Sequence, residues 1–279
     1  MNRIVLVLST FVFLPIFGAS ISDDFWRPLH ADQVEFRSIG STLARNKEYP
    51  WTVGLKVSTK RCSAVLISTR HVLTAAHCVT MTIKDRNSKI GCRFVEFLES
   101  QVKIYPGTRV KDMLNIPLYT ASFRVVNMTI HPKYQPCSRG NDLALLELSQ
   151  NMFSDGLPIC MPDANETIPE NLTFTGFGLN PEDPKRAMLQ AVNLTFYNTT
   201  IYDEIVTFTL DKAPCSGDSG GPLFTKRNGQ HILLGIAYAS AKCQKDNTKK
   251  QAIFDNVRSQ IEWICEVSGV CTTLRLNGQ

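Results

Sequence analysis

Several things are scarce in this chain of 279 residues. The first 61 residues hold no cysteine, and none of the nine cysteines forms a CxxC pair. The missing pair argues against a structural zinc site, and no metal or cofactor motif stands out, so neither is expected. No block of like charge occurs. The net charge of +5, from 30 basic and 25 acidic residues, is mild, and no nucleic-acid partner is expected. One loose basic loop, with Lys242, Lys245, Lys249 and Lys250, reads as solvated surface. After the N-terminal segment no apolar stretch of about 20 residues follows, so no membrane contact is expected once that segment is removed. There is no repeat and no low-complexity tract. A hydrophobic content of 43% with 9% aromatics excludes a disordered chain and permits a sizeable core.

What is present begins with an export signal. Arg3 supplies the positive start, Ile4 to Phe17 an apolar run, and Gly18, Ala19 and Ser20 a small-residue cleavage site. Residues 1–20 therefore read as a signal peptide and the protein as secreted, extracellular. Residues 21–37, polar and mixed, read as a short pro-segment. Export with nine cysteines implies disulfides, and the odd count leaves one thiol free or paired between chains. Asn127, Asn165, Asn171, Asn193 and Asn198 head Asn-x-Ser/Thr sequons, candidate glycosylation sites.

From Tyr49 onward, short runs rich in Val, Ile, Thr and Phe alternate with turn residues. Trp51–Val57, Ser63–Ser68, Phe123–Ile130, Leu143–Leu148, Leu172–Phe177 and Ile232–Ala237 are the clearest. Their spacing predicts an all-β barrel or sandwich. One helix is expected near the C-terminus, where Val257, Ile261 and Ile264 share a face. Asp255 or Asn256 could cap it and Gly269 could stop it.

Three segments carry chemistry. Thr74-Ala75-Ala76-His77-Cys78 sets a histidine among small apolar residues. Asn141-Asp142-Leu143-Ala144 sets an acid directly before an apolar strand, which draws it toward the core. Cys215-Ser216-Gly217-Asp218-Ser219-Gly220-Gly221-Pro222 surrounds one serine with glycines. Glycine allows the backbone angles that aim two N–H groups at one spot. Those of Gly217 and Ser219 would form an oxyanion hole. A serine hydroxyl is a weak nucleophile until a histidine takes its proton, and the histidine needs an acid to hold its tautomer.

These motifs, with Pro50-Trp51, His131-Pro132-Lys133-Tyr134 and Glu262-Trp263-Ile264, resemble the chymotrypsin/trypsin peptidases, which carry a Ser-His-Asp triad. The chain order His, Asp, Ser matches as well, and the likeness runs from about Ser38 to Ile264. It implies two packed six-stranded antiparallel β-barrels with a C-terminal α-helix over residues 38–279, with the barrel boundary near 150–165. It implies Ser219 as nucleophile, His77 as base and Asp142 as its orienting acid. It implies disulfides Cys62–Cys78 and Cys215–Cys243, leaving Cys92, Cys137, Cys160, Cys265 and Cys271 unassigned. It implies zymogen activation by cleavage between Arg37 and Ser38, the new terminus pairing with Asp218. Protein or peptide substrates and protease inhibitors are the expected partners.

The chain also departs from the family pattern. Ala213 stands where trypsin-like members carry an acid, so cleavage after Lys or Arg is not expected. With Ser240 and Ala252 it suggests a neutral pocket for a medium or large side chain; the alternative has Lys212 or the basic loop drawing acidic side chains. Ser38 is less apolar than the usual new terminus. Tyr238-Ala239 replaces a Ser-Trp pair on the substrate strand, and a one-residue slip there would reverse strand parity. The segment from Val79 to Met113 is expanded. The alternative to an active peptidase is a catalytically silent homologue, a secreted binding or regulatory protein.

Overall fold

The structure, a computed structural model, describes residues 40–86, 91–180, 183–240, 243–244 and 246–272. The signal peptide, the pro-segment, Arg37, Ser38, Lys242 and Lys245 lie outside the described residues. In chain order the first half runs β1 (Thr42–Leu43), β2 (Thr52–Val57), β3 (Lys60–Leu66), β4 (His71–Thr74), α1 (Ala76–Val79), β5 (Thr80–Lys84), β6 (Cys92–Glu96), β7 (Val102–Pro106), β8 (Phe123–Ile130) and β9 (Ala144–Leu148). The second half runs β10 (Asn171–Gly176), β11 (Gln190–Thr199), β12 (Glu204–Leu210), β13 (Pro222–Arg227), β14 (Gln230–Ser240), β15 (Lys249–Asn256) and α2 (Ile261–Ser268).

Strand β8 shows how the sequence dictates the layers. Phe123 and Val125 are buried while Arg124 and Val126 face out, the period of two that a half-buried strand requires. A bulge between Val125 and Asn127 then shifts the pattern. Strands β2, β3, β4, β9, β8 and β7 close in that order into an antiparallel barrel. Strands β11, β10, β13, β14, β15 and β12 form the second, which β12 closes by pairing back to β11. Two residues of β1 extend that sheet beyond β11. Closure removes sheet edges, and each barrel then fills its lumen with side chains. Leu55, Leu66, Leu73, Ile104 and Leu146 fill the first; Phe174, Leu194, Ile205, Leu223 and Phe254 fill the second. Each such side chain contributes roughly 1.5–3 kcal/mol.

The barrels share a seam. Trp51, from the first, packs edge-on against Phe224 of the second with ring centroids 5.3 Å apart. Thr52 and Thr175 join their hydroxyls at 2.7 Å. A hairpin of β5 and β6 stands outside the first barrel, in the expanded segment.

Disulfides join Cys62 to Cys78, Cys92 to Cys137, Cys215 to Cys243 and Cys265 to Cys271, and Cys160 is an exposed thiol. The C-terminal helix starts later than its periodicity suggests. Val257–Ser259 is a 3-10 turn capped by the Asn256 side chain, and α2 begins at Ile261 and stops at left-handed Gly269. The basic loop is not wholly solvated either. Lys250 is 4% exposed, on β15, with its ammonium 2.5 Å from Asp246. Among the described residues no helix is long and apolar enough to cross a membrane.

Candidate active site

His77 lies on α1, a single turn leaving β4. Ala75 and Ala76 have no exposed surface, so only small residues fit behind the ring. Asp142 reaches it from the other side. Gly140 and Asn141 both have positive φ, 75° and 60°, which turns the chain sharply into β9; glycine and asparagine tolerate that region best. Asp142 then spends both oxygens on one partner. Its Oδ2 is 2.6 Å from His77 Nδ1, and its Oδ1 accepts the His77 backbone N–H at 2.8 Å. The carboxylate is 11% exposed and the ring 34%. The acid is sheltered while the ring meets solvent.

Ser219 stands on the turn between Cys215 and Gly221. Asp218, with no exposed surface, folds beneath it and accepts N–H bonds from Gly178 and Cys215, both at 2.7 Å. Ser63, from the first barrel, clasps the same turn. Its N–H donates to the Ser219 carbonyl at 2.8 Å, its hydroxyl donates to the Gly217 carbonyl at 2.9 Å, and that hydroxyl accepts the Phe177 N–H at 2.8 Å. Gly217 has φ 99° and Gly220 φ 83°. A side chain at Gly220 would overlap Thr74 and the Ser63 carbonyl. Among the described residues the N–H groups of Gly217 and Ser219 have no acceptor, and no hydrogen bond joins the Ser219 hydroxyl to His77. Such bonds often tighten only when substrate arrives.

A cavity of about 130 Å³ opens beside Ser219, lined by Pro214, Cys215, Ser216, Ala237, Ala239 and Ser240, with Tyr238 at its edge. In its wall the Ser240 hydroxyl donates to the Pro214 carbonyl at 2.8 Å. Ser240 is thus a lining residue, whereas Ala213 and Ala252 are buried, at 0% and 2%, and lie outside the lining. Among the described residues no charged side chain lines it. Tyr238 occupies a bulge between Ala237 and Ala239. The bulge absorbs the parity change, and the Tyr238 hydroxyl bonds the buried Glu204 carboxylate, which also holds Arg139 at 2.6 Å.

Asp142 is felt by its surroundings. Burial first, and then the charge of Asp142, pushes the Tyr134 hydroxyl up to about 12. The same two causes push Asp255 up to about 8. Lys60 is lowered by burial, against the attraction of Asp142, and its ammonium donates to the carbonyls of His77 and Thr80 at 3.0 and 2.7 Å. Cys62, His77 and Cys78 gather ligand-type atoms within 4.8 Å. Both sulfurs are spent in a disulfide, so this trio offers no thiolate pair to a metal.

Sequence reasoning missed Ser63, Glu204 and Asp255. An acid at a buried position of an apolar strand was the available signal for Asp255; Ser63 gave none.

The sequence matches the trypsin family model over residues 38–264. It is 30% identical over 262 residues to phenoloxidase-activating factor 3 of Holotrichia diomphalia, covering 83% of this chain and 72% of that one. It is 27% identical to chymotrypsin-C of Bos taurus, covering 85% and 91%. It is also 27% identical to coagulation factor XI of Bos taurus, covering 84% of this chain and 38% of that longer protein. A fold of two closed barrels, a serine on a glycine turn at their seam and a match across most of the chain agree: this chain belongs to the trypsin family and is a peptidase or a peptidase homologue.

Proposed function

We propose that this protein is a secreted serine endopeptidase acting through His77, Asp142 and Ser219. The observation that carries the reading is the doubly bonded Asp142–His77 pair, 2.6 Å at its closest, together with a serine turn whose Gly217 and Ser219 N–H groups have no acceptor among the described residues. Ser219 attacks the substrate carbonyl as His77 takes its proton. The N–H groups of Gly217 and Ser219 receive the oxyanion. His77 returns the proton to the leaving amine, and water repeats the sequence on the acyl-enzyme. Asp142 holds one imidazole tautomer throughout.

The cavity beside Ser219 supports cleavage after a small or medium neutral side chain. Its volume is about 130 Å³, and the Ser240 hydroxyl, held to the Pro214 carbonyl, forms part of its wall. That narrows the sequence-based expectation, which allowed a large side chain. Activation at Arg37–Ser38, with the new terminus reaching Asp218, is part of the same proposal, as is glycosylation. The five sequon asparagines are all exposed.

The test is labelling with a fluorophosphonate probe before and after limited cleavage, with Ser219→Ala as control. Labelling that appears on cleavage, vanishes in the variant and coincides with a new N-terminus at Ser38 is the expected result. In a peptide library Ser219→Ala should lower kcat by about 10⁴-fold or more. No labelling of folded, cleaved protein would move the assignment to the silent homologue. Cleavage mainly after Lys or Arg would overturn the pocket reading.

A further inference from the structure

Behind Asp142 lies a second acid with no part in the scheme above. Asp255, on β15, is 3% exposed, and its Oδ2 accepts the Asp142 backbone N–H at 3.0 Å. We propose that Asp255 is a positioning residue, which holds the Asn141–Asp142 turn so that Asp142 keeps both of its bonds to His77. This rests on the triad reading above.

The argument is geometric. Asn141 sits at φ 60°, a left-handed turn that asparagine tolerates and that its surroundings must still hold in place. The N–H that follows is buried and needs an acceptor. Asp142 has no oxygen to spare, because each already bonds His77, so a small rotation of its backbone loses both bonds. A misplacement of about 1 Å can cost on the order of 100-fold in rate.

Charged and titratable groups face Asp255 from every element around it. Asp142 acts on it from the turn, Glu204 from β12 as its cross-strand partner, and Tyr238 from β14 directly; Glu204 in turn holds Arg139 and the Tyr238 hydroxyl. Asp142 and Glu204 both oppose a third negative charge. With its pKa pushed to about 8, Asp255 stays largely protonated at neutral pH and accepts the N–H without adding that charge.

The test compares wild type, Asp255→Asn and Asp255→Ala as full cleaved chains. Asn keeps an acceptor of the same shape; Ala removes it. One readout is the low-field proton resonance of the His77 Nδ1–H, which reports its bond to Asp142 whether or not the protein turns over. The other is kcat and KM on a peptide substrate. Expected are a retained resonance and kcat within about twofold in Asp255→Asn, and a lost resonance with kcat down about 100-fold at unchanged KM in Asp255→Ala. An Ala variant that keeps both, or an Asn variant that loses both, overturns the proposal. If Asp255→Ala does not fold, the Asn variant decides. The wild-type resonance should show an inflection near pH 8, the value to which Asp255 is raised, and Asp255→Asn should lack it; identical titrations would overturn the role. A wild type that shows the resonance pattern but neither turns over nor labels would sink the peptidase reading alone.

Discussion

Ser63 takes no part in bond breaking, yet it joins the two barrels at the point that matters. One hydroxyl serves the Gly217 carbonyl and the Phe177 N–H while the backbone holds Ser219. Removing it leaves the buried Phe177 N–H and the part-buried Gly217 carbonyl without this partner, and leaving a buried group unpaired costs about 1–3 kcal/mol. Ser63→Ala should therefore lower the unfolding free energy by about that amount, read as a lower denaturation midpoint. It should also reduce probe labelling of Ser219, because the turn loses its fixed contact; a variant with wild-type stability and labelling would show the clasp to be idle. Ser240 supports a second prediction at this scale. The residue lines the cavity and its hydroxyl is held to the Pro214 carbonyl, so Ser240→Gly should enlarge the pocket. Peptide profiling should then show kcat/KM shifting toward larger neutral side chains by about tenfold, the value of a methylene or two in such a pocket. An unchanged profile would mean that other walls set the size limit.

The β5–β6 hairpin and the turn that presents Asp142 are separate elements tied by Cys92–Cys137, 45 residues apart in sequence. In the loop-entropy account a link of that span contributes about 3–4 kcal/mol. The double variant Cys92→Ser, Cys137→Ser should unfold at correspondingly lower denaturant, with easier proteolysis across residues 81–96. The resemblance gave these cysteines no partners, since the tie belongs to an expanded segment. Elements whose signal is local were readable. The run Phe123–Ile130 coincides with β8, where a half-buried strand writes its period into the residues, and Leu143–Leu148 lies within one residue of the buried β9, marked by its continuous apolar run. What needs a partner strand was not readable. Glu204 and Asp255 become neighbours only through the β12–β15 register, and Tyr238 finds Glu204 only because a bulge re-aims it. Lys250 read as surface for the same reason: its burial comes from β15 lying inside the second sheet.

For the whole molecule, the pH dependence of stability follows from groups that the fold has shifted. Burial lowers His71, His131 and His231 below the usual 6.5. The unfolded chain therefore holds more protons at these sites, and stability gains as pH rises until about 6.5, where the difference ends. Asp255 acts in the opposite sense. Its pKa rises from 3.8 to about 8, so between those values the folded protein holds the extra proton. Stability from this group is complete below the lower value and drains away as pH climbs through the upper one. From about 6.5 to 8 Asp255 is the shifted group that counts; Lys60, lowered from 10.5, and the tyrosines Tyr49 and Tyr134, raised from 10.0 to about 12, act at higher pH. The midpoint of thermal unfolding should therefore peak near pH 6–7 and fall toward pH 8.5. At 1.36 kcal/mol per unit the loss is about 2 kcal/mol, which is several degrees for a chain of this size. Asp255→Asn, which cannot ionise, should flatten that alkaline limb and leave the acid limb in place. Equal slopes in the two proteins above pH 7 would mean that Asp255 is already ionised in the folded state, with Arg139 or solvent compensating a charge that its burial between Asp142 and Glu204 argues against.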